Sequence, residues 1–307
     1  MEKKREKGEK WEKGETEEQK RSRLYQETRL HFTAFDRGDE RDAGGNANTM
    51  ARIMDVDTLK FSSFINPTKT PKKGNENEKE KENENENENE KGCEIEVCNE
   101  DCLKMAIRYL NMGLNPMVMD AASDRMPGGC STICGRTQEE EIFRRTSLFR
   151  ALDPAFYPLK PQQVIYAPHV KIWRDTNYRQ IVPEPTVAVL AVAAPRRPRL
   201  ITGTKKTGDR TKKSGQTSYA HEDERRRMES KVASCFQIGL DMGHDSLVLG
   251  ALGTGDFHNP PILVAEMFSY YARMYRGCFR RIGFAVLVVD PSSDQNLFDV
   301  FHKTLSS

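Results

Sequence analysis

The sequence lacks several features that would place it in a specialised class of protein. It has no apolar run near the roughly 18 residues of a membrane span, and no apolar segment follows its charged N-terminus, so neither a membrane partner nor a signal peptide is expected. The net charge is only +2, which gives no indication of direct nucleic-acid binding. The cysteines number seven and are scattered, so we expect free thiols and a cytoplasmic or nuclear location.

Two segments have too few apolar residues to form a core. Residues 1–19 and 73–92 consist mostly of charged and amide side chains, and such compositions leave the entropy cost of ordering uncompensated. We therefore predict a disordered charged tail at 1–19, a partly helical accessory segment at 20–72, a disordered Asn/Glu/Lys linker at 73–92 and a globular domain at 93–307.

Candidate strands alternate with candidate helices in the globular domain. Apolar and β-branched runs at 115–123, 186–195, 245–252 and 281–290 predict buried strands, and amphipathic segments separate them. This alternation predicts an α/β fold with a mostly parallel sheet and helices on both faces. A basic insertion at 196–224 interrupts the pattern. We interpret it as a solvent-exposed surface loop, the alternatives being a nuclear-import patch or an anion-attracting arm.

Two glycine-rich segments follow predicted strands. PGGCSTICGRTQEEE, at 127–141, comes after the strand at 115–123, and GTGDFHNPP, at 253–261, comes after the strand at 245–252. Ligands of parallel sheets bind beyond the carboxyl ends of the strands, and glycines let backbone N–H groups approach a phosphate at a helix start. The structural alternative is a pair of tight strand-to-helix turns.

Adjacent carboxylates end the first of these segments. On a helix, Glu139 and Glu140 point about 100° apart, so they cannot share one task. One carboxylate suits the binding of a hydroxyl while the other acts as acid and base, which is what cleavage of a glycosidic bond needs. The alternative is that both acids complement the helix dipole.

These residues resemble a known family. The stretch at 118–149 is similar to the signature of microbial-type poly(ADP-ribose) glycohydrolases, members of the macrodomain superfamily, in which Gly-Gly-Gly precedes Gln-Glu-Glu by six to eight residues. Here Gly128-Gly129-Cys130 is followed by seven residues and then Gln138-Glu139-Glu140. IEVCNEDCL, at 95–103, and the segment at 244–261 resemble further family sequences.

The resemblance implies a three-layer α/β/α macrodomain with a mixed, mostly parallel sheet, and hydrolysis of the ribose–ribose O-glycosidic bonds of ADP-ribose polymers, free or on ADP-ribosylated protein. No cofactor and no metal are implied. Glu140 would be the general acid and base, and Glu139 would hydrogen-bond ribose hydroxyls. The other implied substrate-binding residues are Asp120, Gly128, Gly129, Cys130, Gln138, Gly253, Thr254, Gly255, Asp256, Phe257 and Asn259.

Two departures from the family pattern leave other functions open. Cys130 replaces the third glycine, and Asp120 replaces the usual asparagine, whose amide donor an aspartate lacks. The alternatives are a non-catalytic or weakly catalytic ADP-ribose-binding domain and a hydrolase of another ADP-ribosyl linkage. The cysteine pairs 98/102 and 130/134 have three intervening residues rather than the two of a zinc knuckle, so no zinc site is predicted.

Overall fold

A seven-stranded sheet organises the part of the chain that the computed structural model describes, which is residues 15–35, 51–59, 92–204 and 215–306. The strands found there are β1 (Arg52–Asp55), β2 (Glu94–Cys98), β3 (Pro116–Asp120), β4 (Gln163–Lys171), β5 (Thr186–Ala191), β6 (Leu200–Thr204), β7 (Gly215–Tyr219), β8 (Ser246–Leu249) and β9 (Arg281–Ala285). The order in the main sheet is β1-β4-β5-β3-β8-β9-β2. From β5 to β2 all neighbours pair parallel, whereas β4 pairs antiparallel with β5 and with β1. The predicted mixed, mostly parallel sheet is confirmed.

Helices cover both faces of this sheet. Those of the described residues are α1 (Glu17–Phe35), α2 (Cys102–Asn111), α3 (Gln138–Arg145), α4 (Leu148–Ala151), α5 (Glu222–Asp241), α6 (Pro261–Met274) and α7 (Pro291–Leu305). Within the same residues, no helix is long and apolar enough to cross a membrane.

The alternation of side chains along β3 shows how the layers form. Met117 and Met119 pack in one buried cluster with residues of α5, α6 and α7, while Val118, between them, packs in a second cluster with residues of α2, α3 and α4. Each buried side chain of this size stabilises the fold by about 1.5–3 kcal/mol. Two cores on opposite faces of one sheet confirm the predicted three-layer α/β/α arrangement.

The start of α1 corrects the predicted tail at 1–19. Residues 17–19 are helical because Thr16 and Gln19 form a capping box: Gln19 N donates to Thr16 Oγ1 (3.2 Å), and Thr16 N donates to Gln19 Oε1 (2.9 Å). Two hydrogen bonds therefore begin the helix inside a charged segment. Residues 1–14, and the predicted linker up to residue 91, lie outside the described residues.

The segment predicted as an accessory region contributes to the same domain. On α1, Leu24 and Phe32 are each only 2% exposed, and the buried Thr28 hydroxyl contacts the main-chain carbonyl of Arg144 in α3. Strand β1 forms the sheet edge, where Arg52 pairs with Tyr166 of β4. The structure therefore places residues from before position 93 in the main sheet and its helical layer.

The basic insertion contains regular structure where it is described. Strands β6 and β7 pair antiparallel as a hairpin, and α5 begins at Glu222, inside the predicted insertion. Acidic residues at Glu222, Asp223 and Glu224 occupy the first turn of α5, where they complement the helix dipole. Residues 205–214 lie outside the described residues.

Replacement of Thr28 by Val tests the docking of α1. The change removes a buried hydroxyl that contacts the carbonyls of Leu24 and Arg144, so we expect the free energy of unfolding to fall by about 1 kcal/mol. Urea denaturation followed by circular dichroism measures the loss. As a matched control, Thr33→Val removes an exposed hydroxyl from the same helix and should change the stability by less than about 0.5 kcal/mol. Equal losses in the two variants would contradict a specific contribution of the buried contact.

Candidate active site

Two loops face each other at the carboxyl ends of neighbouring parallel strands. The first loop, residues 121–137, follows β3, and the second loop, residues 250–260, follows β8, which pairs with β3. Between them lies a cleft of about 710 Å³. The sequence-predicted site residues that line this cleft are Gly129, Cys130, Gln138, Glu139, Glu140, Gly253, Thr254, Gly255, Asp256 and Phe257.

Three other predicted site residues lie outside the described lining of the cleft. Asp120, Gly128 and Asn259 are buried and do not belong to the described lining of the cleft. Gly128 adopts φ +76°, and a Cβ there would lie 2.4 Å from Cδ1 of Ile133, so both the backbone angle and the space require glycine. The structure thus separates residues that line the cleft from residues that shape it.

The side chain of Gln138 joins β3 to α3. Its Oε1 accepts a hydrogen bond from Ala121 N (2.8 Å), and its Nε2 donates to Met119 O (3.0 Å). These main-chain groups lie at the end of β3, one residue before and one residue after its last residue, Asp120. Gln138 therefore fixes the start of the helix against the end of the strand.

Glu139 holds the first loop in place. Its Oε2 accepts from Ser123 N (2.8 Å) and its Oε1 from Gly128 N (2.9 Å). Burial raises the pKa of Glu139 to about 7, although these two N–H groups act in the opposite direction. The negative charge of Glu140 raises that pKa further.

Glu140 is the third residue of α3 and belongs to a second capping box. Thr137 is the N-cap: its Oγ1 accepts from Glu140 N (3.3 Å), while Thr137 N and Oγ1 both donate to Glu140 Oε2 (3.2 and 2.8 Å). The other oxygen, Oε1, accepts from Gly135 N (2.7 Å) and from the Cys130 thiol (3.0 Å). A Cβ on Gly135 would lie 2.2 Å from Glu140 Oε2, so glycine is needed there.

These donors decide the charge of Glu140. Burial raises the pKa of its carboxyl, but the hydrogen bonds from Cys130, Thr137 and Gly135 lower it more, so the pKa lies below its ordinary value. Glu139 and Glu140 are therefore neighbours whose pKa values move in opposite directions. Such a division between adjacent carboxyl groups is typical of acid–base sites.

Cys130 fits the position of the family's third glycine without backbone strain. It is not among the described non-glycine residues with positive φ, so a side chain is tolerated there. That side chain contacts Glu140, and Thr132 Oγ1 lies 3.7 Å from Cys130 Sγ and 3.0 Å from Cys134 Sγ. The departure from the family pattern thus places a thiol donor on the candidate catalytic carboxylate.

Asp120 is the least compensated polar group near the site. It is 0% exposed, and neither of its carboxylate oxygens has a hydrogen-bond partner among the described residues. Burial, and then the charge of Glu139, raise the pKa of Asp120 well above its usual range. The nearby Tyr157 hydroxyl also has no described partner. Asp120 is therefore a buried carboxyl group outside the described lining of the cleft, whereas the resemblance implied a substrate contact.

Asn259 orders the second loop from behind. Its Nδ2 donates to Gly253 O (3.1 Å) and to Pro195 O (2.8 Å), and its Oδ1 accepts from the Tyr219 hydroxyl (3.1 Å). Gly253 itself has φ +67°, and a Cβ there would lie 2.4 Å from Cβ of Ala194. The loop therefore depends on a glycine and on a buried amide, and Asn259 acts on the cleft through Gly253.

Sequence reasoning missed Thr137, Gly135 and Arg196 as residues of the cleft. The Thr-x-x-Glu spacing of Thr137 and Glu140 is a capping-box signal and was sufficient to find the first. Gly135 had no comparable signal, because its need for glycine comes from the carboxylate of Glu140. Arg196 lies in a run of basic residues, and such runs are usually solvent-exposed.

Across residues 15–35, 51–59, 92–204 and 215–306, no group of three or more His, Cys, Asp or Glu side chains is arranged to hold a metal ion.

Known proteins are similar to this chain in sequence and in fold. The profile of the catalytic domain of microbial-type PARG, poly(ADP-ribose) glycohydrolase, matches residues 55–175, which include the first loop and α3. The fold is similar to that of PARG from Thermomonospora curvata (TM-score 0.64, 24% identity, 93% of this chain and 99% of that chain covered). It is also similar to PARG from Deinococcus radiodurans in complex with ADP-ribose (TM-score 0.57, 23% identity, 69% and 84% covered). No curated protein gives a significant match to the chain.

The resemblance to microbial-type PARG is thereby confirmed, and the described fold is that of bacterial PARG structures. The match to the PARG catalytic-domain profile supports the predicted class of enzyme, a glycosidase. At under 25% identity the solved structures establish the fold, so the roles of individual residues rest on the geometry of the cleft.

Replacement of Asp120 by Asn tests the buried acid. The folded carboxyl, with its raised pKa, keeps a proton that the unfolded chain releases above about pH 4, so the parent loses stability as the pH rises. The Asn variant should lack this loss, which amounts to at most about 1.4 kcal/mol per pH unit. We expect it to gain stability over the parent between pH 5.5 and 8.5, measured by urea denaturation at several pH values. For Asp299→Asn, an exposed control on α7, the free energy of unfolding should depend on pH as it does in the parent. If Asp120→Asn changed the stability by the same amount at every pH, the raised pKa of Asp120 would be contradicted.

Proposed function

We propose that the chain is a poly(ADP-ribose) glycohydrolase that cleaves ribose–ribose O-glycosidic bonds of ADP-ribose polymers, with Glu140 as general acid and base. The observation that carries the proposal is the position of Glu140. Its carboxylate lines a cleft between two glycine-containing loops, in the first turn of a helix that follows a sheet strand. The match to the microbial-type PARG catalytic domain supports the same activity.

The reaction needs two opposite acts from one carboxyl group. It donates a proton to the leaving ribose oxygen and then accepts a proton from the attacking water. In the structure the pKa of Glu140 is below its ordinary value, so the group is ionised at neutral pH. A bound diphosphate and the exclusion of water both favour the protonated form. Substrate binding therefore favours the protonated form of Glu140, which is the form that donates the proton.

Glu139 contributes by position in this proposal. Both of its oxygens already accept main-chain N–H groups of the first loop, and each oxygen retains a further lone pair. Ribose hydroxyls bound at these lone pairs would lie next to Glu140, because Glu139 also lines the cleft. The same carboxylate then binds both the first loop and the sugar, and so fixes the position of the sugar relative to the loop.

The two loops suit the diphosphate of an ADP-ribose unit. Gly129 in the first loop and Gly253 in the second have positive φ, which turns the backbone tightly around the cleft. Backbone N–H groups of such turns, and the nearby start of α6, favour an anion without a metal ion. Phe257 supplies a flat apolar face at the edge of the cleft.

A second candidate function is the binding of ADP-ribose without cleavage. The observation that favours it is the set of four donors on the Glu140 carboxylate, among them the Cys130 thiol in place of the family's glycine. A carboxylate held this firmly in its ionised form is a poor proton donor. The two functions differ in whether bound ADP-ribose polymer is recovered intact.

Replacement of Glu140 by Gln distinguishes cleavage of the polymer from binding without cleavage. The parent should release free ADP-ribose from automodified poly(ADP-ribosyl)ated protein, and the variant should lose at least about 100-fold in rate because it has no ionisable group to transfer the proton. Chromatography of the released nucleotides gives the rate, and titration calorimetry should show that ADP-ribose binding is retained. Glu141→Gln, a control on the same helix, keeps the activity because Glu141 pairs with Arg144 outside the cleft.

The outcomes distinguish the candidates. Binding of ADP-ribose without release by the parent would establish the binding domain. Release that survives in Glu140→Gln would contradict the role of Glu140. Absence of both binding and release would overturn the assignment of the cleft.

Replacement of Cys130 by Ala tests the thiol donor. Loss of this hydrogen bond raises the pKa of Glu140, so the fall in rate with rising pH, where the acid loses its proton, should shift to higher pH. The pH dependence of kcat/KM measures the shift. Cys130→Ser retains a donor and should keep the parent's profile more closely, and identical profiles for parent and Cys130→Ala would show that the thiol does not influence Glu140.

A further inference from the structure

Arg196 connects the two loops across the cleft. Its Nη2 lies 2.6 Å and its Nε 3.2 Å from Oδ1 of Asp124, in the first loop. The carbon of the same guanidinium lies 4.0 Å above the ring centroid of Phe257, in the second loop. Arg196 also lines the cleft, and its side chain remains 31% exposed. One cation thus contacts both walls and is accessible to a ligand.

The backbone around Arg196 is fixed to the second loop. Arg197 N donates to Phe257 O (2.7 Å), and Pro195 O accepts from Nδ2 of the buried Asn259 (2.8 Å). The guanidinium is therefore held over Phe257 from its own side of the cleft. Among the described contacts of Arg196, the one with Asp124 reaches across to the first loop, and this pair is partly solvent-exposed, so an anionic ligand is able to replace it.

The charges of the cleft need a cation. Its described lining contains the carboxylates of Glu139, Glu140 and Asp256, against the two basic residues Arg136 and Arg196. A ligand with a diphosphate adds further negative charge close to these carboxylates. An arginine guanidinium matches phosphate oxygens with two parallel N–H donors, and an aromatic face stacked beneath it keeps its plane oriented.

We propose that Arg196 is a phosphate-binding residue of the cleft, and that Asp124 holds its guanidinium when no ligand is bound and competes with the phosphate of the ligand. The proposal rests on the proposed function, since it assumes a ligand of the ADP-ribose class. It assigns a substrate-selecting role to the first residue of the basic insertion. It also predicts opposite effects for the two partners of one ion pair.

The test is a double-mutant cycle on the dissociation constant for ADP-ribose, measured by titration calorimetry on the full chain. Arg196→Met should weaken binding about tenfold, because a charge-assisted contact to the phosphate is lost. Asp124→Asn should tighten binding by up to about fivefold, because the competing anion is removed. The double variant should bind as Arg196→Met does, since Asp124 acts only through Arg196.

Three further measurements keep the result specific. Arg199→Met makes the same change at an exposed residue of the insertion outside the described lining of the cleft, and it should bind ADP-ribose as the parent does. The affinity of Arg196→Met should depend less on ionic strength than that of the parent, because one cation no longer faces the ligand. Thermal unfolding of each variant shows whether the fold is retained.

Each other outcome has a distinct meaning. If the parent does not bind ADP-ribose, the proposed function fails and this inference fails with it. If the parent binds and Arg196→Met binds equally well, only the phosphate-binding role is overturned. If Arg196→Met and Asp124→Asn both weaken binding to the same extent, the pair is a structural bridge between the loops, and the competition is overturned.

Discussion

The first loop depends on hydrogen bonds that its own backbone cannot supply. It leaves the sheet after Asp120 and reaches α3 without joining a strand or a helix, so its N–H groups need other partners. Three successive side chains provide them: Gln138 accepts from Ala121, Glu139 from Ser123 and Gly128, and Glu140 from Gly135 and Thr137. The Gln-Glu-Glu sequence is therefore a structural requirement of the loop before it is a set of groups for chemistry.

Because these side chains both order the loop and supply groups for chemistry, several carboxyl groups lie close together in a buried region. Asp120, Glu139 and Glu140 are all buried, and the structure accommodates them by giving each a different environment. The pKa of Asp120 rises because of burial and then the charge of Glu139, that of Glu139 rises because burial outweighs two donors, and that of Glu140 falls because four donors outweigh burial. Of the three, the carboxyl group that is best supplied with donors is therefore the one most strongly held in its charged form, and it is the group proposed to transfer the proton.

The sequence predicted the parts of this arrangement that follow from local patterns. Alternating apolar runs predicted the sheet, and the family signature placed Glu140 and the second loop in one cleft. Strand order along the chain does not reveal which side chains turn inward, so Asp120 and Asn259 were expected in the cleft but lie outside its described lining. Arg196 was hidden for another reason: composition indicates solvent exposure, whereas its position depends on contacts with residues far away in sequence.

The contact between α1 and the first loop extends the influence of the cleft beyond its own walls. Cys134 donates to Glu18 at a separation of 116 residues, and Arg21 donates to Cys134 O. Docking of the N-terminal helix and ordering of the first loop are therefore thermodynamically linked, so a ligand that orders the loop also favours the docked helix. Truncation of the N-terminal segment would then appear as lost affinity, even though the described lining of the cleft includes no residue of α1.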